Sequence, residues 1–188
     1  MTSPPTTAPK GGLYADYLRH GRSVTDPGLW ALAVRRFGNW AADLPVPQLR
    51  WLGLKMYGGA VVVVQAATGN LFHREIKLGE EPDMRGSRNM IIHPEVEIGD
   101  RCRISSSVSV GTNERFKRGV PKIGNDVIIE NGVKILGPVT VGDHAIIRAN
   151  SLVLTDVPAG AIAVGVPAKY TRPPVEPKDA VAPKDPSP

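Results

Sequence analysis

A mainly β fold, in which short parallel strands coil behind a helical N-terminal region, is predicted by three features of this 188-residue sequence. The first is a count of six. Isoleucine or valine recurs at Ile92, Ile98, Ile104 and Val110, then at Ile123, Ile129, Ile135, Val141, Ile147 and Val153. The second is a small or β-branched residue four places after each marker, from Val96, Cys102 and Val108 through to Ala145, Ser151 and Val157. The third is the set of chain-bending residues between marker and follower, as in Asn125-Asp126, Asn131-Gly132, Gly137-Pro138 and Asp143-His144. Strands of one length that turn every sixth residue must coil, and three hexads per turn put positions eighteen apart on neighbouring rungs. A β-sandwich, with strands of varied length and longer turns, does not fit this regularity.

Residues 1–12 and 173–188 are rich in proline and poor in bulky apolar groups, and are expected to be disordered tails. Residues 13–69 form the helical region. There, Asp26 to Leu44 carries Leu29, Trp30, Ala33, Phe37 and Trp40 at helical intervals, with Asp26 as N-cap and Pro27 at the first helical position. A second helix, from about Pro47 to Ala67, carries Leu49, Leu52, Met56 and Val63, with a weak point expected at Gly58-Gly59. Trp30, Trp40 and Trp51 are expected to pack between the helices as core. The coil occupies 70–172, its count starting at Phe72, Leu78 and Met84 before two extra residues shift the phase to Ile92. The polar, basic segment Thr112 to Lys122 carries no marker and should leave the coil as a loop, the kind of element on which rigid scaffolds hold binding residues.

The formal charge of +5 comes from scattered arginines and lysines that are not interleaved with aromatics, so no nucleic-acid partner is predicted. The longest apolar run, Ala60 to Val64, is far short of a membrane span, and no cleavable leader is expected. The single cysteine, Cys102, allows no internal disulfide and falls on a core position, which suits a reduced, cytoplasmic setting. No metal site is predicted. His73 and His93 each follow a marker, in the settings FHRE and IHPE, and should be neighbours one rung apart, where paired imidazoles can move a proton. His20 and His144 are expected to be solvated.

The stretch PKIGNDVIIENGVKILGPVTVGDHAIIRANSLVLTDVPAGAIAVGVPAK resembles the C-terminal half of a hexapeptide-repeat acyltransferase, and by pattern the serine O-acetyltransferases. The resemblance extends upstream through IIHPEVEIGDRCRISSSVSVG and RRFGNW, covering roughly Leu13 to Arg172. It implies a left-handed parallel β-helix, a homotrimer, and acetyl-CoA bound between neighbouring subunits, with Gly132, Ala149, Gly165 and Lys169 as the matching cofactor-binding positions. It also implies a catalytic histidine, oriented by an aspartate, to take the proton from an acceptor hydroxyl. Those two positions hold Gly86 and Leu71 here, and a second, substrate-holding histidine falls on Val120. His93 and His73 remain as candidate bases. Glu130 and Arg148 stand where similar proteins tend to have glycine beside the coenzyme, and a facing pair there would narrow the groove. Two functions stay open at this point. One is an acetyl-CoA-dependent O-acyltransferase with a degenerate site and a relocated base. The other is a catalytically inactive trimeric paralogue that acts as a scaffold or holds a partner.

Overall fold

The computed structural model describes residues 12–113 and 119–171. The predicted tails, apart from Gly12, and residues 114–118 of the predicted loop lie outside them. Three helices come first: α1 (Leu13–Arg19), α2 (Pro27–Ala42) and α3 (Pro47–Thr68). Asp26 caps α2 as expected, one carboxylate oxygen accepting from the N–H of Gly28 at 2.8 Å and of Leu29 at 3.2 Å. Its other oxygen accepts from the N–H of Gly86 at 3.0 Å, so the same cap ties the helix to the coil. Gly28 is glycine for a reason, since a Cβ there would stand 2.7 Å from the carbonyl carbon of Met84.

Two expectations about the helices are corrected. α3 runs unbroken through Gly58-Gly59, because its packing on α2 holds a helix that local propensity alone would weaken. The three tryptophans are not core. Trp30, Trp40 and Trp51 are 50%, 58% and 62% exposed. The helices pack too closely to hold an indole between them: a Cβ on Gly38 would lie 2.6 Å from the Tyr57 ring, and one on Gly53 2.9 Å from Ala41 Cβ. α1 is tied in by the buried carboxylate of Asp16, which meets Arg36 at 2.7 Å and Arg19 at 3.3 Å.

From Leu71 onward the chain is a left-handed parallel β-helix of triangular section, as the sixes predict. Its first face stacks β1 (Leu71–Phe72), β3 (Ile91–Ile92), β6 (Ser109–Gly111), β9 (Lys134–Leu136) and β12 (Leu152–Val153). The second stacks β2 (Lys77–Leu78), β4 (Glu97–Ile98), β7 (Lys122–Ile123) and β10 (Thr140–Val141). The third stacks β5 (Arg103–Ile104), β8 (Ile128–Ile129), β11 (Ile146–Ile147) and β13 (Ile162–Gly165), closed by the antiparallel β14 (Ala168–Thr171).

Register confirms the count. Ile129 pairs with Ile147 and Ile135 with Val153, eighteen residues apart. Phe72 pairs with Ile92 at twenty, which is the predicted two-residue shift, and Val110 with Ile135 at twenty-five, which makes room for the loop. Every marker from Ile92 to Val153 is buried, and so are the followers, including Ser151. Between them the backbone turns through left-handed residues, among them Arg101, Ser107, Asp126, Gly132, His144 and Asn150.

The edge between the second and third faces carries a ladder. The Asp100 side chain accepts from the N–H of Glu80 at 2.6 Å, Asn125 from Asp100 at 2.8 Å, and Asp143 from Asn125 at 2.7 Å. Inside the coil, Cys102 is fully buried and burial pushes its thiol pKa up, so the reactive thiolate is disfavoured. A thiol reagent such as dithionitrobenzoate should label Cys102 only after denaturant is added. Rapid labelling of the native protein would contradict its place inside the prism.

Candidate functional site

The edge between the first and second faces carries the imidazoles. His73 and His93 follow the paired residues Phe72 and Ile92, so they stand on neighbouring rungs as predicted. Together with Leu71, Ile91, Thr112 and Leu136 they line a cleft of about 300 Å³. The rung beyond His93 carries Gly111, where even a Cβ would come no closer than 3.5 Å to that of His93, so the cleft stays open. The N–H of Glu95 donates to His93 Nδ1 at 3.3 Å. A ring nitrogen that accepts bears no hydrogen, so the neutral ring carries it on Nε2, and His93 offers a donor. Leu136 is shared with a larger cavity of about 570 Å³ further along this edge, lined also by Asn113, Pro138, Leu154 and Asp156.

The edge between the third and first faces carries the residues that the acyltransferase resemblance assigns to the coenzyme. The predicted pair forms there: Glu130 Oε1 meets the Arg148 guanidinium at 2.7 Å. The second Glu130 oxygen accepts from the N–H of Ala149 at 2.9 Å, a contact that side-chain alternation alone did not reveal. The Gly132 N–H is also engaged, donating to the Ser106 carbonyl at 2.9 Å. Gly165 and Lys169 lie beyond this edge, in the hairpin of β13 and β14, where the Gly165 N–H donates to Ser151 Oγ at 3.2 Å and Lys169 is exposed.

Gly86 sits on this third-to-first edge as well. Its φ is +68°, and nothing lies within 4 Å of where a Cβ would project. It is a left-handed turn residue that also takes the cap from Asp26, so a histidine there would carry a backbone cost of about 1 to 2 kcal/mol. Leu71 lines the imidazole cleft, and Val120 packs against the core. Beside Gly86, burial alone would raise the Asp83 pKa, but hydrogen bonds from Arg85 and Arg103 outweigh it and hold the carboxyl below its ordinary range.

The remaining histidines divide. His144 is exposed beside Asp126 as expected. His20 is buried, against expectation, because it caps the end of α1, with Nδ1 2.8 Å from the Asp16 carbonyl oxygen. Among the described residues no group of three or more His, Cys, Asp or Glu could hold a metal ion, and no helix is long and apolar enough to cross a membrane.

This architecture has relatives. Residues 121–155 match the bacterial transferase hexapeptide family (six repeats). Over 103 residues, 54% of the chain, it is 38% identical to a serine acetyltransferase of Helicobacter pylori, and over 146 residues, 76% of the chain, 30% identical to that of Mycobacterium tuberculosis. The chain is a hexapeptide-repeat protein similar to the serine acetyltransferases. Solved structures agree. A serine acetyltransferase in complex with CoA superposes with a TM-score of 0.67 at 25% identity, over 84% of this chain and 60% of that one. The Neisseria gonorrhoeae serine acetyltransferase gives 0.66 at 26%, over 85% and 59%. The chain spans about 60% of the length of the curated relatives it matches. His73 and His93 stand on a different edge from Gly86. Within one chain the first face separates them from Glu130, Gly132 and Ala149.

Proposed function

We propose that this chain is an acetyl-CoA-dependent O-acyltransferase of serine acetyltransferase type, working as a homotrimer in the cytoplasm, with His73 and His93 in place of the imidazole missing at Gly86. The observation that carries this is the placement of the two groups of residues. The imidazole cleft bounds the first face on one side, and the coenzyme edge bounds it on the other. A cyclic trimer with the first face turned towards its neighbours would set the imidazole edge of one copy against the coenzyme edge of the next, and each site would draw on two copies. Similarity to a serine acetyltransferase that binds CoA supports the coenzyme.

His73, whose ring has no hydrogen-bond partner among the described residues, is the base; His93 offers its Nε2–H as donor. The acceptor hydroxyl oxygen attacks the thioester carbon while its proton passes to His73, and the charge that gathers on the carbonyl oxygen is met by His93. Collapse breaks the carbon–sulfur bond, and His73 returns the proton to the leaving thiolate. Base catalysis of this kind contributes about 10²- to 10⁴-fold in rate. Serine is the first acceptor to test.

A second function, a trimeric scaffold or partner-binding protein without acyl transfer, is favoured by one contact: the Glu130 carboxylate occupies the Ala149 N–H beside the coenzyme path. Calorimetry with CoA separates the two. Binding is expected in the wild type, tightened about 5- to 10-fold in Glu130→Gly, which frees that N–H and unties Arg148 for a phosphate. Absence of binding heat from both proteins would leave the scaffold function.

A further inference from the structure

One side of α3 is a surface that this chain does not itself cover. Leu49, Leu52, Met56 and Val63 are each half exposed or more, at 53%, 50%, 58% and 63%, and Gly59 and Ala66 are exposed with them. These six recur at intervals of three, four, three, four and three, which is the 3.5-residue spacing of a seam between supercoiled helices. α2 packs on a different side of α3, through Gly53 and Tyr57. An apolar stripe of this length left open to water marks a contact surface.

Gly59 indicates what kind of partner. Gly28, Gly38 and Gly53 each answer a close approach by another part of the chain, from Met84, Tyr57 and Ala41 respectively. Neither Gly58 nor Gly59 answers one, since nothing lies within 4 Å of where either Cβ would be, and of the two it is Gly59 that lies on the stripe. A glycine inside an exposed helix weakens it relative to alanine, whereas at a seam it lets a second backbone come close. A helix lying on a lipid surface would gain from a large side chain at its centre, so Gly59 favours a helix as the partner. The stripe also narrows from Leu49 and Leu52 towards Gly59 and Ala66, the end at which α3 enters the coil.

We infer that α3 forms a parallel helical seam with the α3 helices of other copies of this chain, converging where the three coils begin; this rests on the homotrimer proposed above. The test has two parts. Light scattering on the wild type reads the trimer by itself. Leu52→Cys and Val63→Cys, on opposite sides of the stripe's midpoint, are then oxidised, with Gln65→Cys on another side of α3 as control. Same-position disulfides linking about two of every three chains are expected at 52 and 63, and few at 65. A trimer without those cross-links overturns the seam and leaves the trimer standing, as does a trimer that cross-links at 65 equally. A monomer removes the trimer and the seam together. Flotation with anionic vesicles in place of cross-linking would assign the stripe to a membrane instead. Gly59→Leu gives an independent sign: it lowers Tm if α3 is packed at a seam, and it raises Tm if the face is free, which would overturn the proposal.

Discussion

Ile129→Ala lowers the free energy of unfolding by about 2 to 5 kcal/mol, while Ile128→Ala, its neighbour in the same two-residue strand, costs less than about 1 kcal/mol. Ile129 is fully buried between Ile104 on one rung and Ile147 on the other. Its truncation leaves a void that neither rung can fill, because each is fixed by parallel hydrogen bonds: Ser105 N–H donates to the Ile129 carbonyl at 3.0 Å and Glu130 N–H to that of Ile147 at 3.0 Å. Ile128 points out of the prism and is half-buried. Denaturant midpoints for the two variants at constant m-value measure the contrast. The reverse contrast, a large loss in Ile128→Ala and a small one in Ile129→Ala, would mean that the register is shifted by one residue, which turns every side chain to the opposite face.

Gly124→Ala should cost about 2 to 4 kcal/mol, from overpacking together with a lost hydrogen bond. A Cβ on Gly124 would lie 2.9 Å from the backbone nitrogen of Asp143 and would collide with that residue's Oδ1. Oδ1 is the atom that accepts from the N–H of Asn125, so relieving the clash breaks the ladder at that rung. Gly99 stands in the same column one rung away, with the Gly124 carbonyl oxygen 2.6 Å from its would-be Cβ, so Gly99→Ala should behave alike. Gly58→Ala, in open space on a helix, should instead raise the thermal midpoint. A Gly124→Ala protein as stable as the wild type would show that the column is not close-packed.

The coil was legible because its repeat is written directly in the residues: a marker every six places has one geometric meaning once rungs close every eighteen. The same spacing placed His73 beside His93 and Glu130 beside Arg148. The glycine column was equally visible, as Ile98-Gly99-Asp100, Ile123-Gly124-Asn125 and Val141-Gly142-Asp143, but its purpose depends on which backbone atom the next rung presents. The contact from Glu130 to the Ala149 N–H was hidden for the same reason. The helices misled because a period of 3.6 shows which residues share a face and not what that face meets. Small residues at Gly38, Ala41 and Gly53 bring α2 and α3 together and leave the tryptophans outside. His20 followed the same pattern: its place at a helix end was readable, but its burial there was not.

Thiol release from acetyl-CoA in the presence of serine and other hydroxyl acceptors, compared between the wild type and His73→Ala, tests the relocated site most directly. Turnover by the wild type that falls about 10²-fold or more in His73→Ala, with folding unchanged by circular dichroism, is the predicted result. Turnover that survives the loss of His73, or its absence from the wild type with every acceptor, would contradict it.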